Sequence, residues 1–174
     1  MSKKFSTLKI EILNTIFILI LGTLLHFTFK WSNNNLLVGT FSSVNESTWE
    51  HLKLLFFPTI ITALVGHLYL KISPNYLCIK IKGIIISFLF TIVVFYTYTG
   101  ILGTNFAFLN IGIFIIAVIL SQYYTYKKIL ANTSCNNFIS SIVLIILCLC
   151  FIIFTFFPPP IGLFQDPVTC MFGI

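Results

Sequence analysis

Apolar residues dominate five runs of this chain, at about 10–29, 52–70, 84–102, 106–124 and 138–157, and short polar stretches part them. Each run is about 19 or 20 residues long, enough for a helix rising ~1.5 Å per residue to cross a hydrocarbon core of roughly 30 Å. A backbone in lipid must satisfy its own hydrogen bonds, so the runs are predicted as helices and not strands. The pattern therefore predicts an all-α, polytopic membrane bundle of five transmembrane helices, one domain over 1–174. Pro158, Pro159 and Pro160 end the fifth helix, and the tail 158–174 is too short to span. The tail is expected outside, either on the membrane surface or folded back over the bundle, with Asp166-Pro167 as a turn. The basic start, Met1–Lys9, followed by an apolar run resembles a signal peptide. That run is longer than a signal's apolar region and no small-residue cleavage site follows, so it is expected to remain as the first span.

Polar residues are concentrated at one place, Ser43-Val44-Asn45-Glu46-Ser47-Thr48-Trp49-Glu50-His51-Leu52-Lys53. Ser43 and Glu46 fit a capping box, and Asn45 is an alternative cap, so a helix is predicted to open here. The plain reading of the charges is capping by Glu46 and a surface pair between Glu50 and Lys53. Pro58, further along the same span, removes a backbone donor and predicts a bend. In the first span, Glu11, Asn14, Thr15, Gly22 and His26 share one helical face that should point into the bundle. Asn14 and Thr15 suit interhelical hydrogen bonds, and Glu11 suits a structural pair with Lys9. His67 is expected as a hydrogen-bonded interfacial side chain beside Lys71. Smaller stripes at Ser87/Thr91, Asn110/Ala117/Ser121 and Ser141/Cys148/Thr155 suit helix–helix contacts.

Composition agrees with a membrane protein: 58% of residues are hydrophobic and 8% charged. The net charge of +6 comes from lysine alone, since the chain has no arginine. These lysines border apolar runs, which favours membrane orientation over nucleic-acid binding. With the N-terminus inside, Lys3, Lys4, Lys9, Lys71, Lys80, Lys82, Lys127 and Lys128 fall on the inner side, and only Lys30 and Lys53 outside. The positive-inside rule then predicts N-terminus in, C-terminus out, in a multi-pass plasma-membrane protein whose surroundings are the lipid bilayer. The sequence names no protein partner. Five cysteines offer no C-x-x-C pair, Cys78 and Cys135 fall in predicted inner loops, and no disulfide framework is expected.

The candidate chemistry follows from depth. His26 lies about one turn inside the exit of span one, and His51 about one turn inside the start of span two. An odd number of spans puts Asp166 on the same side. His26, Glu46, Glu50, His51 and Asp166 are thus predicted to converge under the outer surface, with Ser43, Asn45, Trp49 and Lys53 in support. Histidines and carboxylates in that number suit Zn²⁺ or another divalent first-row ion, with His26, His51 and Asp166 as ligands and Glu46 or Glu50 as general base. The chain has no H-E-x-x-H, no G-x-S-x-G and no phosphate loop.

V-N-E-S-T-W-E-H-L-K at Val44–Lys53, with F-Q-D-P-V-T at Phe164–Thr169, resembles a family of small bacterial integral membrane proteins catalogued as a domain of unknown function. The resemblance covers nearly the whole chain and implies an integral membrane protein, with no activity attached. The family's tail has glycine where this chain has Cys170, which speaks against Cys170 as a ligand. Three readings stand. A metal-dependent membrane hydrolase predicts a metal with an open coordination position. A small transporter or channel component predicts a polar path to Glu11 or His67. A structural or accessory subunit predicts a closed, fully paired cluster.

Overall fold

The computed structural model describes residues 3–70 and 72–174, so Lys71, counted above among the inner lysines, lies outside the described residues, as do Met1 and the side chains of Lys3 and Tyr69. The fold is all helical: α1 Lys3–Trp31, a short α2 Leu36–Gly39, α3 Thr48–Leu64 continued by a π-helical turn Val65–Tyr69, α4 Tyr76–Leu102, α5 Ala107–Leu130 and α6 Asn137–Phe156. Among the described residues, five helices are long and apolar enough to cross a membrane, in Lys4–Trp31, Thr48–Leu68, Tyr76–Leu102, Ala107–Leu130 and Asn137–Phe156. The protein is a polytopic membrane helical bundle. Its helices outrun several of the expected spans, most of all α4, which starts eight residues before the run at 84. Hydropathy stops at the first lysine, whereas a helix continues wherever its backbone bonds and lysine stems find cover.

Successive long helices run antiparallel, so the molecule has two ends. The tail end holds the α1–α3 connection, the α4–α5 turn and the C-terminal tail; the far end holds the start of α1. Helix α1 packs on α3 and α5, and α4 packs on α3, α5 and α6. Between the ends lies an apolar layer of Ile18, Leu52, Phe56, Ile84, Ala117, Val118 and Phe151, all buried. The aromatic rings of Phe56 and Phe151 sit 4.9 Å apart at its centre. Pro58 lies inside α3 without ending it, and the change of helical type comes later, at Val65. Proline cannot donate to the carbonyl of Leu54. That carbonyl faces Gly22 of α1, where an added Cβ would sit 2.6 Å from it. The glycine lets two backbones close together at the point where one carbonyl has lost its usual donor.

The far end is tied by a buried polar network. Lys80 Nζ donates to Glu11 Oε2 at 2.7 Å and also contacts Gln122 Oε1. The Tyr76 hydroxyl donates to Glu11 Oε1 at 2.8 Å and accepts from Asn14 Nδ2 at 3.0 Å. Glu11 is therefore structural, as expected, but its partner is Lys80 on α4 and not Lys9, which lies over the Phe5 ring. Asn14 makes the interhelical bond expected of it, whereas Thr15 bonds back to the carbonyl of Glu11. His67 differs from its expectation: its Nδ1 is buried with no hydrogen-bond partner among the described residues.

A second departure is a disulfide between Cys78 and Cys135, with Cα atoms 6.1 Å apart. Because α4 starts at Tyr76, Cys78 occupies its first turn and not a loop. Two side-chain bonds bring the α5–α6 connection beside it, Asn75 Nδ2 to Thr133 O at 3.1 Å and Asn137 Nδ2 to Pro74 O at 2.7 Å.

Candidate metal centre

The start of α3 sets the geometry of the tail end. Its N-cap is Ser47, whose hydroxyl accepts from the Glu50 amide at 3.3 Å, and not Ser43 or Asn45. Ser47-Thr48-Trp49-Glu50 is itself an S-x-x-E pattern, a second capping box four residues after Ser43-x-x-Glu46. Ser43 and Asn45 shape the loop before the cap: Ser43 Oγ donates to Asn45 O at 2.7 Å, and Asn45 Oδ1 accepts from the Ser47 amide at 2.9 Å. The shift leaves Glu46 outside the helix, free of any capping duty.

Glu46 stands between two histidines. Its Oε1 lies 3.7 Å from His26 Nε2, and its Oε2 lies 3.5 Å from His51 Nε2. The two imidazole centroids are 5.3 Å apart. One ligand atom from each of His26, Glu46 and His51 falls within 4.8 Å of the others, and all three side chains are half-buried. This His/His/Glu group is able to hold a metal ion. Two ligands on a tetrahedron with bonds of ~2.0–2.1 Å lie about 3.4 Å apart, and a hydrogen bond of this type is shorter, at about 2.7–3.2 Å; the two measured gaps run to different oxygens of Glu46, so the side chains would close in on a shared ion. His51 is also oriented: its Nδ1 lies 2.9 Å from the carbonyl of Ser47, which can only accept, so Nδ1 carries the proton and Nε2 points at Glu46. His26 Nδ1 is buried and has no partner among the described residues.

The other expected site residues lie elsewhere. Glu50, expected as a base, is 2% exposed and bound on both oxygens. Lys53 Nζ is 2.6 Å from its Oε2, which also accepts from the Val44 amide at 3.0 Å, and Thr155 donates to its Oε1 at 3.3 Å. Lys53 in turn donates to the carbonyls of Gly39 and Ser42 at 2.8 and 3.2 Å. The expected surface pair is thus a buried clamp that holds the α1–α3 connection onto α3 and α6.

Asp166, expected as a ligand, keeps its carboxylate for backbone amides. Its Oδ1 accepts from Val168 at 2.7 Å and Thr169 at 3.3 Å, and its Oδ2 from the Glu46 amide at 3.4 Å. Burial raises the Asp166 carboxyl's pKa, but these amide donors outweigh burial and hold it below the ordinary aspartate value. Asp166 therefore places Glu46 through its backbone and does not join the three ligand atoms. The tail does fold back over the bundle: the Trp49 amide donates to Leu163 O at 3.0 Å, Asn45 Nδ2 to Gly173 O at 2.8 Å, and Gln165 bridges to Phe172. Trp49 supports it from below, its ring 4.6 Å from Phe151 and 4.9 Å from Phe164.

On its inner side the centre opens to a cavity of about 60 Å³ between α3, α4 and α5, which Glu46 and His51 share with Leu54, Leu55, Phe95 and Phe114. Thr91 and Asn110, marked in the sequence only as parts of contact stripes, also reach it.

A family model described as a family of unknown function (DUF6512) matches residues 1–174, the whole chain. No curated protein and no solved structure matches it.

Proposed function

The chain belongs to the DUF6512 family, and we propose that it uses His26, Glu46 and His51 to hold Zn²⁺ or another divalent ion for hydrolysis at the outer face of the plasma membrane. The observation that carries this reading is the spacing of the three ligand atoms, all within 4.8 Å of one another. The two measured gaps exceed direct hydrogen bonds, and a modest inward movement of the three side chains would bring them onto one ion. Three protein ligands leave a fourth position for water, the pattern of a catalytic and not a structural zinc site. When bound, such an ion supplies a Lewis acid and lowers the pKa of its water.

The residues divide the remaining work. Ser47 fixes the His51 ring, and Asp166 fixes the Glu46 backbone. Glu46 would hold the ion with the two histidines, and its carboxylate would be the group to accept a proton from the attacking water, the base role expected of Glu46 or Glu50. Hydrolysis adds water across an acyl bond: the oxygen goes to the acyl carbon, the bond to the leaving alcohol or amine breaks, and the proton ends on that leaving group. The buried layer around Phe56 and Phe151 separates the centre from Glu11, which favours this reading over a conduction path. In the same reading the N-terminus is inside and the centre faces out.

Elemental analysis of the purified protein tests the ligand set. About one ion per chain is expected in the wild type, falling at least about tenfold in Glu46→Gln and in His26→Ala. Equal, sub-stoichiometric metal in all three proteins would overturn the metal reading.

A further inference from the structure

We infer that the cavity beside His51 takes the first few carbons of a membrane lipid's acyl chain, next to its head, so that the substrate of the centre is an acyl-chain amphiphile cleaved near its polar end. The inference rests on the hydrolytic reading of the metal centre and names its substrate class.

Two adjoining spaces carry it. The narrow one, about 60 Å³, runs from Glu46 and His51 down an apolar wall of Leu54, Leu55, Phe95 and Phe114. The wide one, about 600 Å³, lies at the surface of the tail end, lined by Thr99, Asn105, Gln165 and Pro167 among others. Thr48 and Phe95 line both, so the two spaces are neighbours. A wide cleft of mixed polarity beside a largely apolar slot matches a molecule with a polar head and one thin chain. The slot's walls come from three membrane-spanning helices, so the phase around them is lipid.

Thr91 adds an independent sign of an occupant. Other helix threonines here, Thr15, Thr23, Thr59, Thr99, Thr125 and Thr155, turn their hydroxyls back to the carbonyl one turn earlier. Thr91 is 8% exposed, lines the slot, and its hydroxyl has no partner among the described residues. Asn110, which also lines the slot, already accepts from the Tyr98 hydroxyl at 2.5 Å. The Thr91 hydroxyl is therefore a donor kept for an acceptor carried by the ligand, such as a chain hydroxyl or an acyl carbonyl.

The test uses the full-length protein in lipid nanodiscs and a lysophosphatidylcholine with a photoactivatable diazirine on its acyl chain. After irradiation, labelled peptides are read by mass spectrometry. Labelling is expected to concentrate on Leu54, Leu55, Phe95 and Phe114, and an excess of unlabelled lysolipid should suppress it at least fivefold, leaving the lipid-facing residues of α6 unchanged. Thr91→Phe and Ile113→Trp, which fill the slot from α4 and from α5, should lower the same labelling at least fivefold with metal content unchanged. Labelling spread evenly over lipid-facing helices, or insensitive to both competitor and slot-filling variants, overturns the inference. The competition arm needs no variant, so misfolding of either one leaves the outcome decisive. Metal bound without slot labelling removes only the substrate class; slot labelling without metal removes the hydrolytic reading it rests on.

Discussion

A methyl group at position 22 would meet two things at once. An ideal Cβ there lies 2.6 Å from the Leu54 carbonyl and 2.7 Å from the Phe114 ring. The ring can turn, but the carbonyl belongs to the backbone of α3. Gly22→Ala should therefore push α1 off α3 and cost about 1–3 kcal/mol, the range for overpacking a tight contact. A thermal melt in detergent, followed by tryptophan fluorescence, should show a clear drop; an unchanged melt would mean the helices are not held at this distance. Gly22 was legible in the sequence as part of a polar and small-residue face, and so were His26, Glu46 and His51 as a convergent set. The fate of Asp166 was not. Depth alone brought it to the right end, but local amide donors two and three residues onward claimed its carboxylate first. Lys80 was read as loop charge because nothing local marks a lysine whose acid lies 69 positions away.

At the scale of the element, two acids four residues apart do different work because of where α3 begins. Ser47 caps the helix, so Glu50 falls in its first turn, facing inward, while Glu46 stays in the loop. The sequence contains both capping boxes, and the earlier one, Ser43 with Glu46, does not form. Tertiary bonds decided against it: the loop residues before Ser47 are spent on the connection to α1, where Ser42 Oγ accepts from the Phe29 amide at 3.0 Å. A contrast of variants follows. Lys53→Met strands Glu50 with no cation in a buried site and should cost about 3–5 kcal/mol. Glu46→Gln, on a side chain 39% exposed and bound to no backbone donor, should leave stability within about 1 kcal/mol. Chemical denaturation in mixed micelles compares the two, and a Glu46→Gln protein as unstable as Lys53→Met would make Glu46 a structural residue.

For the whole molecule, the span pattern and the odd count were readable because apolar length is a local property. The pairing of ends was not, since it depends on contacts between distant positions. Cys78 and Cys135 are 57 residues apart and nothing in either neighbourhood announces the other. The lysine count behind the expected orientation changes once the side chains are placed. Lys80 and Lys53 are both buried in ion pairs, so neither counts as loop charge. The sequence tally of eight inner and two outer lysines becomes seven and one, each side losing one. A membrane-impermeant maleimide applied to intact cells should label the exposed Cys170. Cys135 should react only after permeabilisation and reduction; the reverse pattern would invert the topology. One feature of the bundle bears on electricity. The apolar layer around Phe56 and Phe151 lies between two clamps, Glu50 with Lys53 and Glu11 with Lys80, and the membrane voltage falls mainly across such a layer. A lone charge crossing that drop exchanges about 2.3 kcal/mol with the field per 100 mV. Each clamp is an acid and a base locked together with no net charge to move, so depolarisation does almost no work on either pair.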